Sequence, residues 1–340
     1  MTWDKPMPER PVVAVAGVTG AVGREMLKVL EQREFPAERV VALASSRSAG
    51  KRVPFAGGEL VVEEMTPESF AGVDIALFSA GAGVSKQFRE AVVSAGAVMI
   101  DNSSAFRMDD DVPLVVPEVN REDIEWHSGV IANPNCSTIQ MVVALKPLDN
   151  IAKIKRVVVS TYQAASGAGA AAMEELYAQS RDFLMGQELR VEQFAHRIAF
   201  NCIPQIDVFL GDRSTKEEWK MVVETQKIMH APDLKVCATC VRVPVLRCHS
   251  EAINVEFEEP VFLGAAIETL SDADGITLLD DPEAKSYPMP ALLEGSDDVY
   301  VGRLRADRSV KYGLSLWVVA DQLRKGAALN AVQIAEALLD

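Results

Sequence analysis

The first hundred residues alternate between short unbroken apolar runs and stretches in which apolar residues recur every three or four positions. That rhythm predicts a parallel sheet covered by helices. Pro11-Val12-Val13-Ala14-Val15-Ala16 reads as a strand buried on both faces. Val22, Met26, Leu27, Val29 and Leu30 then mark a helix that Phe35-Pro36 ends. Further strands are predicted at Arg39-Val40-Val41-Ala42-Leu43-Ala44, at Val73-Asp74-Ile75-Ala76-Leu77-Phe78 and at Ala97-Val98-Met99-Ile100. Past Cys136 the texture changes to β-rich runs at 154–161 and 237–245, mixed with helices at 170–181 and 216–228, which predicts a second domain with a mixed or antiparallel sheet. Residues 327–339 read as an amphipathic helix able to return to the first domain.

Composition narrows the choice of function. The chain has 340 residues, 49% apolar and 24% charged, which suits a globular protein of two domains. Its 49 acids against 34 bases leave a net charge of −15, the wrong sign for a partner made of nucleic acid or anionic lipid. No apolar stretch approaches the roughly 20 residues needed to span a bilayer. Met1-Thr2-Trp3-Asp4-Lys5-Pro6 places an acid and a proline before any apolar run, so no secretion signal is expected and the cytoplasm is the expected location. Five cysteines, an odd number, fit a reducing compartment and leave room for a working thiol.

The first strand runs directly into Gly17-Val18-Thr19-Gly20-Ala21-Val22-Gly23 and then a helix. This is the form of a dinucleotide-binding turn, in which backbone N–H groups and the helix dipole meet a pyrophosphate. At the end of the next strand, where an NAD-type site carries an acid for the ribose 2′-hydroxyl, stand Ser45-Ser46-Arg47-Ser48, with Lys51 close behind. Hydroxyls and a guanidinium suit a 2′-phosphate, so NADP is expected over NAD; otherwise Arg47 is a solvated loop residue.

Asn133-Pro134-Asn135-Cys136-Ser137-Thr138 lies between an apolar run and an apolar helix, which puts Cys136 near a helix N-terminus. There the dipole favours the thiolate, and a nucleophile is the expected role. A partner base must come from His127, His196, His230 or His249. His249 is the best candidate, because the strand before it carries Arg242 and Arg247 toward the same region. Cys237-x-x-Cys240 with Cys248-His249 could instead be taken for zinc ligands, but the alternation of Val236, Ala238, Val241, Val243 and Val245 makes the segment a strand, and no metal is expected.

The glycine turn, Ser45-Ser46-Arg47-Ser48, Asp101-Asn102-Ser103-Ser104-Ala105-Phe106-Arg107, Asn133-Pro134-Asn135-Cys136-Ser137-Thr138, Thr161-Tyr162-Gln163-Ala164-Ala165-Ser166-Gly167-Ala168-Gly169 and Lys325-Gly326-Ala327-Ala328-Leu329-Asn330 together resemble the aspartate-semialdehyde dehydrogenase family. The likeness runs from about residue 10 to the C-terminus, with Val18 standing where the family often has alanine. It implies an α/β fold: a Rossmann-type parallel-sheet NADP-binding domain, 1–135 completed by a C-terminal helix in 321–340, and an α+β catalytic and dimerisation domain, 136–320.

The resemblance also implies a chemistry. Cys136 would attack the acyl phosphate of 4-phospho-L-aspartate, phosphate would leave, and NADPH would reduce the thioester to L-aspartate 4-semialdehyde, on the route to lysine by way of diaminopimelate, threonine and methionine. His249, seven residues after Arg242, matches the acid/base histidine, and Gln163 the glutamine that orients the acyl group. Arg107 and Lys220 match phosphate ligands, Arg242 the carboxylate ligand and Glu217 the ammonium ligand. Gly17, Thr19, Gly20, Ala21, Val22, Gly23, Ser45, Arg47, Ser48, Ser166, Gly167 and Gln322 match positions that hold the cofactor. A homodimer through the second domain, in some members paired into a tetramer, is implied as well.

Two rivals remain. N-acetyl-glutamyl-phosphate reductase shares the fold and the thiol chemistry but takes an acylated nitrogen, for which a carboxylate at Glu217 is no partner. A redox sensor or scaffold without turnover would lack the nucleophile or the base, and Cys136, Gln163 and His249 are all present.

Overall fold

The computed structural model describes Trp3 and residues 5–340; the part of the N-terminal reading that rests on Met1, Thr2 and Asp4 lies outside the described residues. The chain forms two compact units, Met1–Asn135 with Ala327–Asp340, and Cys136–Gly326.

Among the described residues, the first unit has eight strands: β1 (Val12–Ala16), β2 (Arg39–Ala44), β3 (Arg52–Phe55), β4 (Gly58–Val61), β5 (Glu63–Glu64), β6 (Ile75–Phe78), β7 (Val98–Asp101) and β8 (Val130–Ala132). Six of them form one sheet in the order β5-β2-β1-β6-β7-β8, every pair parallel. β3 and β4 make a separate hairpin. Val13, Ala14, Val15 and Ala16 are fully buried, as a strand with helices on both faces must be. The chain order reverses at β1, between β2 and β6, and ligands of open α/β sheets bind in the crevice that such a reversal leaves at the strands' carboxyl ends.

Helices α1 (Ala21–Gln32), α2 (Ala82–Ser94) and the short α3 (Pro117–Asn120) belong to this unit. α1 turns Met26, Leu27, Val29 and Leu30 into the core, the stripe that the sequence predicts.

The second unit contains α4 (Cys136–Ile151), α5 (Ala170–Leu184), α6 (Lys216–Ile228), α7 (Leu263–Ser271) and α8 (Pro290–Leu293). Its strands are β9 (Ile154–Gln163), β10 (Lys235–Arg242), β11 (His249–Phe257), β12 (Ile276–Leu278), β13 (Val299–Ala306) and β14 (Gly313–Ala320). They form a mixed sheet in the order β10-β9-β11-β14-β13-β12. β10 lies parallel to β9, whereas β9–β11 and β11–β14 are antiparallel. Alternate residues of β9, among them Val157, Val159, Thr161 and Gln163, are buried, so one face of the sheet packs inward. α4 is buried almost all round from Ser137 to Leu145, which explains why its residues carry no polar stripe.

The predicted strand 237–245 stops early. β10 ends at Arg242, where the Val243 N–H turns to the Gln163 carbonyl at 3.0 Å and Pro244, which has no N–H, can donate nothing to a ladder. The C-terminal segment also differs from the expectation for 321–340. Residues 321–326 stay with the second unit. A π-helical turn, Arg324–Ala328, leads into α9 (Leu329–Ala337). α9 is not amphipathic: Leu329, Asn330, Ala331, Val332, Ile334 and Ala335 are all buried, as part of the first unit's core. Among the described residues no helix is long and apolar enough to cross a membrane.

Candidate active site

In the first unit, Gly17 has φ +84°, and a Cβ there would lie 2.3 Å from the Ser79 carbonyl oxygen. A Cβ on Gly23 would lie 2.4 Å from the Gly17 carbonyl oxygen. Both positions therefore require glycine if the turn is to close against β6 and the start of α1. Gly20 caps α1 without offering a side-chain acceptor, so the first N–H groups of the helix keep their capacity for an anion.

The turn meets the end of β2, where Gly17 and Val18 donate to the Leu43 carbonyl at 2.9 and 3.2 Å. Ser45 and the 3-10 turn Ser46–Ser48 follow directly. Arg47 is exposed there, and Lys51 Nζ stands 3.4 Å from Ser48 Oγ. No carboxylate occurs between Ser45 and Lys51. The residues thus fit a dinucleotide with a phosphorylated ribose.

Beyond β7, buried Asp101 accepts from the hydroxyls of Ser85 and Ser103, each at 2.6 Å. Burial raises its pKa against those bonds. Arg107, on the loop that this aspartate organises, donates from Nε to the Asn133 carbonyl at 3.0 Å and from Nη2 to the Asn102 carbonyl at 2.8 Å.

The second unit brings Cys136, Gln163, Glu217, Lys220, Arg242 and His249 into one cluster. Cys136 is the first residue of α4 and is half-buried. The Cβ that Gly326 lacks would sit 2.8 Å from Cys136 Cβ, so the π-helical turn presses directly on the thiol-bearing residue. Arg242 and Gln163 are register partners at the ends of β10 and β9, and His249 begins β11 on the other side of β9. Three side chains from three strands thereby form a row.

His249 is fully buried. Its Nδ1 accepts the Ala164 backbone N–H at 3.0 Å, which leaves the proton of the neutral ring on Nε2. Burial, and next the Arg242 charge, hold its pKa well below the ordinary value. Nε2 has no hydrogen-bond partner among the described residues and stands over Gly167, where a Cβ would lie 3.0 Å from it and 2.9 Å from Arg242 Nη1.

Gln163 Nε2 donates to Glu217 Oε1 at 3.2 Å and to Thr161 Oγ1 at 3.3 Å. Glu217 Oε2 pairs with Lys220 at 3.0 Å, and Lys220 pairs with Asp207 at 2.9 Å. A capping box between Thr215 and Glu218 starts α6 and fixes this register. Burial would lower the Lys220 pKa, but Glu217 and Asp207 outweigh it and the net shift is upward.

Other residues singled out in the sequence lie elsewhere. Arg247 does not join Arg242; it pairs with Asp321 at 2.7 Å. Gln322 lies in the second unit, where its Oε1 accepts the Cys248 N–H at 2.9 Å and its Nε2 donates to Ser166 Oγ. Its amide thus braces the loop of Ser166 and Gly167 against the left-handed Cys248, φ +73°, just before His249. Cys237 is exposed and Cys240 buried, three residues apart on one strand and so on opposite faces. Among the described residues no group of three or more His, Cys, Asp or Glu is arranged to hold a metal ion. Burial raises the thiol pKa of Cys240 and pushes that of Cys248 up to about 12. Asp207, which the sequence reading leaves out, and Gly326, which it quotes only within the motif 325–330, are neighbours of the cluster.

A crevice for a dinucleotide on one unit and, on the other, a helix-terminal thiol whose charge reaches the arginine next to a buried histidine define a thiol-dependent oxidoreductase. Residues 12–127 match the family profile described as semialdehyde dehydrogenase, NAD binding domain, and residues 145–325 the one described as semialdehyde dehydrogenase, dimerisation domain. The aspartate-semialdehyde dehydrogenase of Aquifex aeolicus is 56% identical over 331 residues, 96% of this chain and 97% of that protein. That of Bacillus subtilis is 53% identical over 334 residues, covering 96% of each. Among solved structures, aspartate semialdehyde dehydrogenase II from Vibrio cholerae superposes with a TM-score of 0.94 at 49% identity, covering 97% of this chain and 98% of that one. The Candida albicans enzyme, solved with NADP, gives 0.76 at 26% identity, over 97% and 98%. The chain belongs to the aspartate-semialdehyde dehydrogenase family.

Proposed function

We infer that this chain catalyses the reversible, NADP-dependent reductive dephosphorylation of 4-phospho-L-aspartate to L-aspartate 4-semialdehyde. The supporting observation is the Cys136 thiol at the start of α4, in one cluster with the row formed by Arg242, Gln163 and His249.

Cys136 is the nucleophile. Its sulfur attacks the acyl carbon, the C–S bond forms, and the carbonyl pair moves to oxygen. Collapse re-forms the carbonyl and breaks the bond to phosphate, which leaves with the pair. Gln163 orients the acyl group, Arg242 holds the α-carboxylate by its planar fork, and Glu217 answers the ammonium. Arg107 and Lys220 receive the phosphate. The dinucleotide, when bound, supplies a hydride in this direction and takes one in the other. Gly17, Thr19, Gly20, Ala21, Val22 and Gly23 hold its pyrophosphate; Ser45, Arg47 and Ser48 hold the 2′-phosphate; Ser166, Gly167 and Gln322 border the nicotinamide end.

His249, neutral and protonated on Nε2, supplies the acid/base group by donating to the oxygen of the tetrahedral adduct. Collapse of that adduct expels the Cys136 thiolate and frees the aldehyde.

The enzyme works in the cytoplasm as a homodimer or homotetramer assembled through its second unit, and its product feeds lysine, threonine and methionine synthesis. The N-acetyl-glutamyl-phosphate reductase alternative is not favoured, because near full-length relatives at 50% identity and above carry the aspartate-semialdehyde name. The deciding assay supplies L-aspartate semialdehyde, phosphate and NADP and follows reduced cofactor by absorbance. Faster turnover of the N-acetylglutamate semialdehyde would overturn the assignment.

A further inference from the structure

Resting on that reading, the chain that follows α5 bears on how Arg242 is held. Its main chain is fixed on two sides: Arg242 is the register partner of Gln163 on β9, and toward the edge of β10 it exchanges both backbone hydrogen bonds with Ile203, at 2.9 and 2.8 Å. The side chain is fixed at one edge, where Nη1 donates to the Ala164 carbonyl at 2.6 Å. Gly167 makes room for that edge, since a Cβ there would lie 2.9 Å from Nη1. One such bond sets the place of a nitrogen and leaves the guanidinium plane free to tilt about it. A two-bond grip on a carboxylate needs the plane as well.

The Phe194 ring supplies that second restraint. The guanidinium carbon of buried Arg242 stands over the ring, 6.0 Å from its centroid. A guanidinium is weakly hydrated on its faces and stacks there on aromatic rings, so the ring answers the loss of water without taking any in-plane donor. Phe194 is itself held. It packs against the apolar cluster of Ala165, Leu176, Ile198, Ala199 and Ile203, which contains the bridge partner of Arg242 and the neighbour of Ala164. Phe194 and Arg242 line one cavity of about 230 Å³, with Ala168, Ile203 and Ile206 among the other walls. That volume is below the ordinary range for drug-sized ligands and suits a small amino-acid derivative. We propose that Phe194 is a positioning residue: it holds the plane of the Arg242 guanidinium so that the remaining in-plane donors meet the substrate's α-carboxylate as a fork. The ammonium stays with Glu217.

The test compares Phe194→Leu, which keeps an apolar side chain but has no ring face, with Phe194→Tyr, which keeps the face. Both are assayed with L-aspartate semialdehyde, phosphate and NADP. Phe194→Leu should raise the KM for L-aspartate semialdehyde about 3- to 30-fold, the span of a cation–ring contact between half-exposed and desolvated settings. Its kcat and its KM for phosphate should stay within about twofold, because the contact is the same in the ground and transition states. Phe194→Tyr should stay within about twofold of the unsubstituted protein throughout. In an Arg242→Gln background, adding Phe194→Leu should lower kcat/KM by no more than about a further twofold, since the partner of the ring is already gone. An unchanged KM in Phe194→Leu, the same loss in Phe194→Tyr, or an undiminished loss in the Arg242→Gln background would overturn the proposal. So would equal losses in kcat and in the KM for phosphate, the mark of general unpacking. If the unsubstituted protein fails to oxidise L-aspartate semialdehyde, the functional reading itself falls, and that outcome is seen before any variant is made.

Discussion

His249 and Arg242 hold the same residue from opposite sides: the Ala164 N–H donates to His249 Nδ1 at 3.0 Å, and its carbonyl accepts from Arg242 Nη1 at 2.6 Å. One backbone segment therefore sets both the ring's tautomer and the guanidinium's position. Protonating Nδ1 would face a donor with a donor, and the Arg242 charge adds a second penalty. The imidazole is accordingly expected to stay neutral well below pH 6.5. An isotope-labelled histidine NMR titration should show His249 unmoved between about pH 7.5 and 5.5; a His249 midpoint near 6.5 would refute the geometry. Linkage gives the sign for stability. The unfolded chain binds this proton near pH 6.5 and the native ring does not, so the contribution is intact above that pH and is lost as pH falls toward the lower native value.

Gly326 owes its identity to Cys136. With 2.8 Å between Cys136 Cβ and the Cβ it would otherwise carry, Gly326→Ala must move either the π-helical turn or the thiol. A displacement of about 1 Å is enough to cost on the order of 100-fold in rate. The variant should keep its circular dichroism while losing kcat and the rate of iodoacetamide alkylation at Cys136 in parallel. Unchanged alkylation with a collapsed kcat would mean that the turn serves some other step.

The role proposed for Arg47 predicts a difference between the two dinucleotides. Exposed at the end of β2 with no carboxylate nearby in sequence, it has a 2′-phosphate to meet only in NADP. Arg47→Ala should raise the KM for NADP about 10- to 100-fold and leave that for NAD nearly unchanged, as expected for one charge-assisted contact. Equal losses with both cofactors would contradict the selectivity.

What the sequence could and could not disclose follows from range. The run into Gly17, the stripe of α1 and the placement of Cys136 at the start of α4 are local patterns, and they read directly. His249 and Arg242 read as a histidine and the strand before it, while Gln163 and the separate roles of the three come only through resemblance; their meeting depends on the register of three strands. Asp207 and Gly326 carry no local signal, since one is an isolated left-handed residue in an aperiodic loop and the other matters only through a partner 190 positions away. α9 misled in the opposite sense. Asn330 suggests a polar face, but it is buried, donating to the Val115 carbonyl and to Asn133 Oδ1 at 2.9 and 2.7 Å.

Glu251 offers a test of the second unit's stability apart from its chemistry. It lies two residues beyond His249 on β11, fully buried, opposite Thr161 on β9 and Val318 on β14. Gln140 of α4 is the polar side chain that approaches it, yet neither carboxyl oxygen has a partner in good hydrogen-bond geometry. Burial drives its pKa well above 4.5, with Gln140 working weakly against the shift, so the native state holds a proton that the unfolded chain releases above about pH 4.5. Native stability from this site is therefore present below that pH and declines as pH rises toward the native value. Glu251→Gln keeps the shape and removes the titration. The melting temperature of the variant relative to the unsubstituted protein should climb steadily from about pH 5 to pH 7.5, since no proton remains to be lost. A constant difference across that range would mean that Glu251 is already ionised in the native protein, and that the neighbouring Gln140 amide, not burial, governs its charge.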